Sequence, residues 1–246
     1  LTAPLDDTTL ALCQPHLDFL ENAWHPKKGV GFAARYTPKD GDDTGLTYEV
    51  LKRYGRNVNL DAVMSYEHVY YFRCFDLESS PSISANIHIL GALRYAGLEI
   101  THPSVQKVLN FLRGMQTEDA FWFDKWHASP YYATTQAIIA CTGYADELAL
   151  SAVSWLLETQ NEDGSWGYYI STAEETAYCL QALSVWRRQG HLIPDEALKR
   201  GSAWLQEHKE PPYPPLWIGK CLYCPELVVK SALLSALKLA NRELYA

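Results

Sequence analysis

Several features that would assign a chain quickly are missing here. Basic runs of the kind that mark a nucleic-acid surface are absent. The 246 residues carry 21 Lys and Arg against 29 Asp and Glu, a net charge of −8, whereas nucleic-acid binders concentrate positive charge on one face. No apolar stretch reaches the roughly 18 residues that a membrane span needs, and no charged n-region followed by an apolar h-region marks a signal peptide. Convincing strand alternation is absent. Of the six cysteines, four (Cys13, Cys74, Cys141 and Cys179) lack paired spacing, and only Cys221 and Cys224 form a CxxC. Zinc would need a second Cys or His pair at matching distance, and there is none. The thiols therefore read as free and mostly buried, as in a cytoplasmic protein. The first residue is Leu1 instead of Met, which reads as a processed, truncated or split product.

Aromatic residues, by contrast, are abundant: 8 Trp, 16 Tyr and 7 Phe. Such a supply points to a densely packed core or an aromatic-lined cavity. Helical periodicity dominates. Five helix pairs are expected, at about 8–22 and 43–55, 59–66 and 82–97, 103–116 and 131–142, 146–160 and 172–189, and 195–208 and 224–240. The second helices recur every 40–50 residues or so, the mark of stacked helical hairpins in a solenoid or a closed ring. They are richer in small and polar-aromatic residues than the amphipathic first helices, which suits an inner layer wrapped by an outer one. Caps support the starts: Thr172 with Glu175 fits a capping box, Pro225-Glu226 fits a first turn, and Asp6 or Asp7 fits the first helix. No domain boundary is evident.

One stretch carries chemistry. In Lys39-Asp40-Gly41-Asp42-Asp43-Thr44-Gly45, three carboxylates fall within four residues, just ahead of a long helix and after Val30, Phe32 and Tyr36. Carboxylates this close cannot all ionise cheaply when buried, because each raises its neighbours' pKa. One then keeps its proton at neutral pH and becomes a donor. A second pattern, Gln160-Asn161-Glu162-Asp163-Gly164-Ser165-Trp166, with a looser copy from Gln116 to Trp122, reads as a staple. The Gln bonds the backbone start of the next hairpin while the Trp stacks on it.

Taken together, these motifs resemble the squalene–hopene cyclase and terpene cyclase superfamily. Gln-x-x-Asp-Gly-Ser-Trp is similar to its QW repeat, and Asp40-Gly41-Asp42-Asp43 to the DxDD motif of class II diterpene cyclases. The blocks at Pro81–His88, Asp124–His127, Thr172–Tyr178 and Pro215–Lys220 resemble those of bacterial members, the copalyl and tuberculosinyl (halimadienyl) diphosphate synthases, in the same order. The resemblance implies an all-α fold, an (α/α) barrel or toroid of helical hairpins, with residues 1–246 as one β domain holding five of six hairpins. The inserted γ domain and first β helix would lie outside this chain.

The same resemblance implies a reaction begun by protonation. Geranylgeranyl diphosphate would be converted to a bicyclic diphosphate of copalyl or halimadienyl type with the diphosphate retained. Asp42 would be the acid, Asp40 and Asp43 its supporters, and Asn86 the amide bonded to the acid. An alkene is a poor base, so a neutral, dry and oriented carboxylic acid suits the task. Lys125 would contact the diphosphate, with His127 and Lys220 as weaker anion contacts. Phe32, Trp126, Tyr131, Tyr178 and Trp217 would line the cavity, where ring faces stabilise passing carbocations. His88 reads as a satisfied helical histidine, and Glu174 and Glu175 as helix caps. Mg²⁺ is the implied cofactor, its ligands mainly outside this chain, as is the terminal base. The implied partners are an isoprenoid diphosphate, the missing N-terminal and γ half as a separate chain or truncated segment, and a downstream class I terpene synthase. Ionisation chemistry of class I fits poorly, since Asp6-Asp7-Thr8-Thr9-Leu10 lacks a third Asp. Two alternatives stand: a cyclase of a shorter prenyl diphosphate (drimane type) or a triterpene, and a non-catalytic α-toroid that binds lipid or protein.

Overall fold

The structure, a computed structural model, describes residues 5–33, 38–118 and 120–245. Leu1 and Tyr36 lie outside them. The described residues form two compact units, 5–115 and 116–245. In the first unit lie α1 (Asp7–Ala23), α2 (Gly41–Arg53), the single turn α3 (Asp61–Met64), α4 (Ile83–Tyr95) and α5 (Pro103–Gly114). The second holds α6 (Pro130–Cys141), α7 (Asp146–Glu158), α8 (Ala173–Arg188), α9 (Asp195–Glu207) and α10 (Glu226–Tyr245). The expected helices are thus all present, the one before α4 shortened to one turn. The absence of strands has a small exception, a two-residue hairpin in which β1 (Trp217–Ile218) pairs antiparallel with β2 (Leu222–Tyr223).

Each unit has two layers. In the first, α4 is buried from Ile83 through Leu93 on every face, packing on α2 on one side and α5 on the other. In the second, α8 is buried from Ala173 through Trp186 and packs against α6, α9 and α10. The covering helices bury one stripe only. Val105, Val108, Leu109 and Leu112 do so on α5, and Ala197, Leu198, Gly201 and Leu205 on α9, the three-and-four spacing of an amphipathic helix. A fully buried Leu or Ile contributes roughly 1.5–3 kcal/mol of transfer free energy, so the all-round burial of α4 and α8 makes them the centres of their units.

The helices start where side chains take up orphaned N–H groups. Asp6, Asp40, Ser82 and Thr172 each accept from a backbone N–H three residues on, and Ser129 from one two residues on. A second device recurs one turn later. Thr44 Oγ1 accepts from the N–H of Val30 (3.1 Å) and donates to its carbonyl (3.1 Å). Asn86 does the same to Phe72, accepting at 2.8 Å and donating at 2.9 Å. Thr134 accepts from Trp122 N–H (3.0 Å) and Thr176 from Trp166 N–H (3.0 Å), each donating back to the same residue's carbonyl. Each of these inner helices therefore carries one latch on the incoming loop.

The Gln of the QW staple bonds as expected. Gln160 Nε2 donates to the carbonyls of Gly164 and Ala197, both at 2.9 Å, the latter in the first turn of α9. Trp166 is fully buried, and its indole N–H donates to Leu156 O at 2.8 Å. Gly201 makes room for it, since a Cβ there would sit 2.8 Å from the Trp166 ring. In the looser copy, Gln116 Nε2 reaches Ser151 Oγ at 3.3 Å.

Candidate active site

The acidic stretch forms the start of α2. Asp40 is its N-cap, its Oδ1 accepting from Asp43 N–H at 2.8 Å, and is only 4% exposed. Burial, then the neighbouring Asp43 and Asp42, push its carboxyl up to about 8. Asp43, facing it, is raised for the same reasons, burial first and then Asp42. This pair therefore holds a proton at neutral pH. Asp42 differs. Its side chain keeps 25% of its surface, and its Oδ1 lies 2.7 Å from His88 Nδ1. Burial alone would lower the His88 pKa, but Asp42 and then Glu49 and Asp43 outweigh it, and the imidazole is held above its usual value. Its Nδ1–H accordingly donates to Asp42.

Close helix packing produces this cluster. Asp42, Gly45 and Glu49 share one face of α2 at positions i, i+3 and i+7, and His88 and Gly91 share one face of α4. A Cβ on Gly45 would lie 3.0 Å from the His88 carbonyl carbon, and one on Gly91 would overlap the Glu49 carboxylate at 2.1 Å. The glycines thus let α4 carry His88 into reach of Asp42 and let Glu49 lie across Gly91. Cys74 is buried alongside, its carbonyl accepting from Gly41 N–H at 2.8 Å. Burial, then Asp42 and Asp40, raise its thiol pKa, which keeps the sulfur protonated and inert.

Asn86 is not part of this cluster. Its Nδ2 donates to Phe72 O (2.9 Å) and Ser82 O (2.8 Å), and its Oδ1 accepts from Phe72 N–H. Both donors are spent on backbone, because the residue fills the latch position that Thr fills in the other inner helices. His88, read from sequence as a satisfied helical histidine, is the side chain that meets the acid. The two glycines, each three residues from its functional neighbour, were the available signal. Phe32, expected at the cavity wall, is 80% exposed.

In the second unit, three of the ordered blocks converge on Glu174. Backbone bonds from Ala128 N–H to Leu216 O (2.8 Å) and from Ile218 N–H to Trp126 O (2.9 Å) lay the Trp217 strand beside the His127 loop. Glu174, 1% exposed, then receives three donors on one oxygen. Trp217 Nε1–H reaches its Oε1 at 2.7 Å, Tyr178 O–H at 3.0 Å and His127 Nε2 at 3.4 Å. The Ser129 N–H donates to His127 Nδ1 at 3.1 Å, which places the ring proton on Nε2. The ring of Tyr132 stacks on His127 (centroids 4.8 Å apart) and lies 4.9 Å from Trp217 and 5.5 Å from Tyr178. Burial and then Glu174 hold the Tyr178 hydroxyl far above its usual pKa.

The expected wall is corrected by one residue here. Tyr131 turns away, its ring 4.8 Å from Trp155 of α7, and the adjacent Tyr132 takes the position among Tyr178 and Trp217. Consecutive helical residues point about 100° apart. His127 is no free anion contact, since both ring nitrogens are engaged. Glu175 does cap α8: its N–H donates to Thr172 Oγ1 at 3.1 Å, and its carboxylate accepts from Thr172 Oγ1 at 2.6 Å and Tyr168 N–H at 2.9 Å. Glu174 does not; it was the residue whose role the sequence concealed. Lys125 is half-buried with its Nζ 5.2 Å from the Trp126 ring centroid, and Lys220 is exposed in the β1–β2 turn. All six cysteines are free thiols. Among the described residues, no three His, Cys, Asp or Glu side chains are grouped to hold a metal ion, and no helix is long and apolar enough to cross a membrane.

A family described as the squalene-hopene cyclase C-terminal domain matches residues 72–213, a span that begins after the acidic stretch. A type B diterpene cyclase of Mycobacterium tuberculosis is 46% identical over 230 residues, covering 92% of this chain and 46% of its own length. An ent-copalyl diphosphate synthase of a Streptomyces species is 39% identical over 218 residues, covering 83% of this chain and 42% of its own. The solved structure of ent-copalyl diphosphate synthase from Streptomyces platensis superposes with a TM-score of 0.84 at 35% identity, over 98% of this chain and 48% of its own. This chain thus spans less than half the length of the curated relatives it matches.

Proposed function

Because the chain belongs to the squalene-hopene cyclase C-terminal domain family, we propose that it is the acid-bearing part of a class II diterpene cyclase. Its substrate is geranylgeranyl diphosphate, and its product a bicyclic diphosphate of copalyl or halimadienyl type. The observation that carries this reading is the α2–α4 cluster: three carboxylates at a helix start, one proton shared by Asp40 and Asp43, and Asp42 held by His88 at 2.7 Å.

In this mechanism Asp42 delivers the proton. The π electrons of the terminal alkene form the new C–H bond, the O–H bond of Asp42 breaks, and a tertiary cation is left to close the rings. His88, donating to Oδ1, fixes the carboxyl's rotation and stabilises the charge that develops as the proton leaves. The Asp40–Asp43 pair keeps a proton of its own, so the site carries less negative charge than three ionised carboxylates would. Lys125 is assigned to the diphosphate. Among the described residues no three His, Cys, Asp or Glu side chains are grouped to hold Mg²⁺; its ligands, with the γ domain and first β helix, are assigned to the part of the relatives' length outside this chain. Residues 1–246 are taken as one β domain, at work in the cytoplasm.

Incubating geranylgeranyl diphosphate and Mg²⁺ with the chain, alone and together with the N-terminal half of a full-length relative, tests the reading by product identification. A bicyclic diphosphate is expected, and Asp42→Asn should reduce its formation by at least about 10³-fold with the helical circular dichroism unchanged. No cyclised product in either mixture, or full activity of Asp42→Asn, would overturn it.

A further inference from the structure

Glu174 Oε2 has no hydrogen-bond partner although it is fully buried, and among the described residues it is the one carboxylate oxygen in that state. A buried acceptor left unsatisfied costs roughly 1–3 kcal/mol, and more if charged. Native folds hold few such groups, and a catalytic role is one reason they persist. Its sister oxygen is saturated by Trp217, Tyr178 and His127, none of them a Lys or Arg. Around it stand the rings of Tyr132, Tyr178, Trp217 and His127, with centroids 4.8–6.3 Å apart. Aromatic faces favour a cation and offer no competing acceptor of comparable basicity. A carboxylate oxygen with a spare lone pair inside such a wall suits a positively charged guest that has a proton to give.

We propose that Glu174 is a catalytic residue of the cyclase, the base that ends the cation cascade. Oε2 takes a proton from the carbon next to the cationic centre. The C–H electron pair becomes the π bond of the product alkene, and Glu174 becomes the neutral acid. Solvent then carries that proton away and reprotonates Asp42, so the turnover is a net isomerisation. The three donors on Oε1 fix the carboxylate's rotation and leave Oε2 without a protein donor. This inference rests on the cyclase reading above.

Glu174→Gln separates this role from a structural one. The amide oxygen can still accept from Trp217, Tyr178 and His127, but the NH₂ that replaces Oε2 cannot take a proton. The expected result, in whichever preparation turns over, is slower turnover and a shift of the remaining product from alkene to hydroxylated diphosphate, formed when water traps the cation. The unsubstituted alkene formed at the unsubstituted rate would overturn the proposal. A second measurement does not depend on turnover. A prenyl-chain tertiary amine, protonated at neutral pH, is titrated against Trp217 fluorescence, with Trp217→Phe identifying the signal. The unsubstituted chain should bind at least about tenfold more tightly than Glu174→Gln; equal affinities would overturn the proposal even if Glu174→Gln is inactive. Absence of product from the unsubstituted chain removes the cyclase reading and the base with it. Product lost in Asp42→Asn but unchanged in Glu174→Gln removes the base alone.

Discussion

The acid cluster at α2–α4 and the Glu174 cluster at α8 both bury carboxylates, yet in opposite company. At α2, carboxylates crowd one another: Asp40, Asp42 and Asp43 with Glu49 nearby, and His88 as the basic partner of Asp42. At α8, one carboxylate stands among neutral donors and aromatic rings. Crowding makes a proton hard to lose from the group as a whole, which suits storing and delivering it. Isolation among rings, with one oxygen saturated and the other bare, suits meeting positive charge. The residue types are alike, and the neighbours divide the labour.

Changing those neighbours should break the contrast. The largest effect is expected at His88. His88→Phe removes the hydrogen bond to Asp42 Oδ1 and should lower turnover by about 10²-fold or more, read from initial rates beside an unchanged circular dichroism spectrum; near-normal rates would show that Asp42 works without it. Next comes the helix crossing. Gly45→Val places side-chain atoms against the His88 backbone, and overpacking of this kind costs about 1–3 kcal/mol. Chemical denaturation should report that loss together with a fall in activity, whereas Gly201→Val, against Trp166 in the other unit, should cost stability by the same mechanism.

A smaller difference is expected at the latch. Asn86→Thr keeps a group that can both accept and donate, as at positions 44, 134 and 176, and should stay within about 1 kcal/mol of the parent. Asn86→Leu strands the Phe72 amide and should lose about 2–3 kcal/mol by the same measurement. If Asn86→Thr instead abolished turnover at normal stability, Asn86 would belong with the acid after all. The last effect is a slope. Because the folded-state pKa of Asp40 is raised from 3.8 to about 8, the folded state holds a proton that the unfolded state releases from about pH 4 upward. Stability should therefore fall as pH rises from about 4 to 8 and level off above. His88 acts in the same direction, since its raised value gives stability that is present at low pH and lost as pH climbs. Asp40→Asn, which still caps α2, should flatten the slope in thermal melts from pH 5 to 9; an unchanged slope would remove Asp40 as its source.

The helices were legible because caps, periodicity and repeats agree with one another. The triad was legible because its residues are contiguous. What escaped the sequence was side-chain direction at short range. Tyr131 and Tyr132 are both buried on a helix with no polar face to orient it, so nothing in the pattern tells which ring turns toward Trp217. Glu174 and Glu175 pose the same problem, one a cap and the other a buried partner of three donors. An Asn can bond an acid or a backbone equally well, and only the path of the Phe72 loop decided for the backbone. Partnerships between helices, such as His88 with Asp42, need the crossing geometry that Gly45 and Gly91 permit.

The latch has a consequence for how such chains can diverge. Thr44, Asn86, Thr134 and Thr176 clasp residues 14, 14, 12 and 10 positions upstream. The clasp closes identically over loops of unequal length, so residues gained or lost within those loops leave the following helix in register. Loop sequence is thereby uncoupled from helix placement. A chain built this way can vary a loop such as Tyr168 to Ser171 by insertion as well as by substitution, while α8 continues to present Glu174 unchanged.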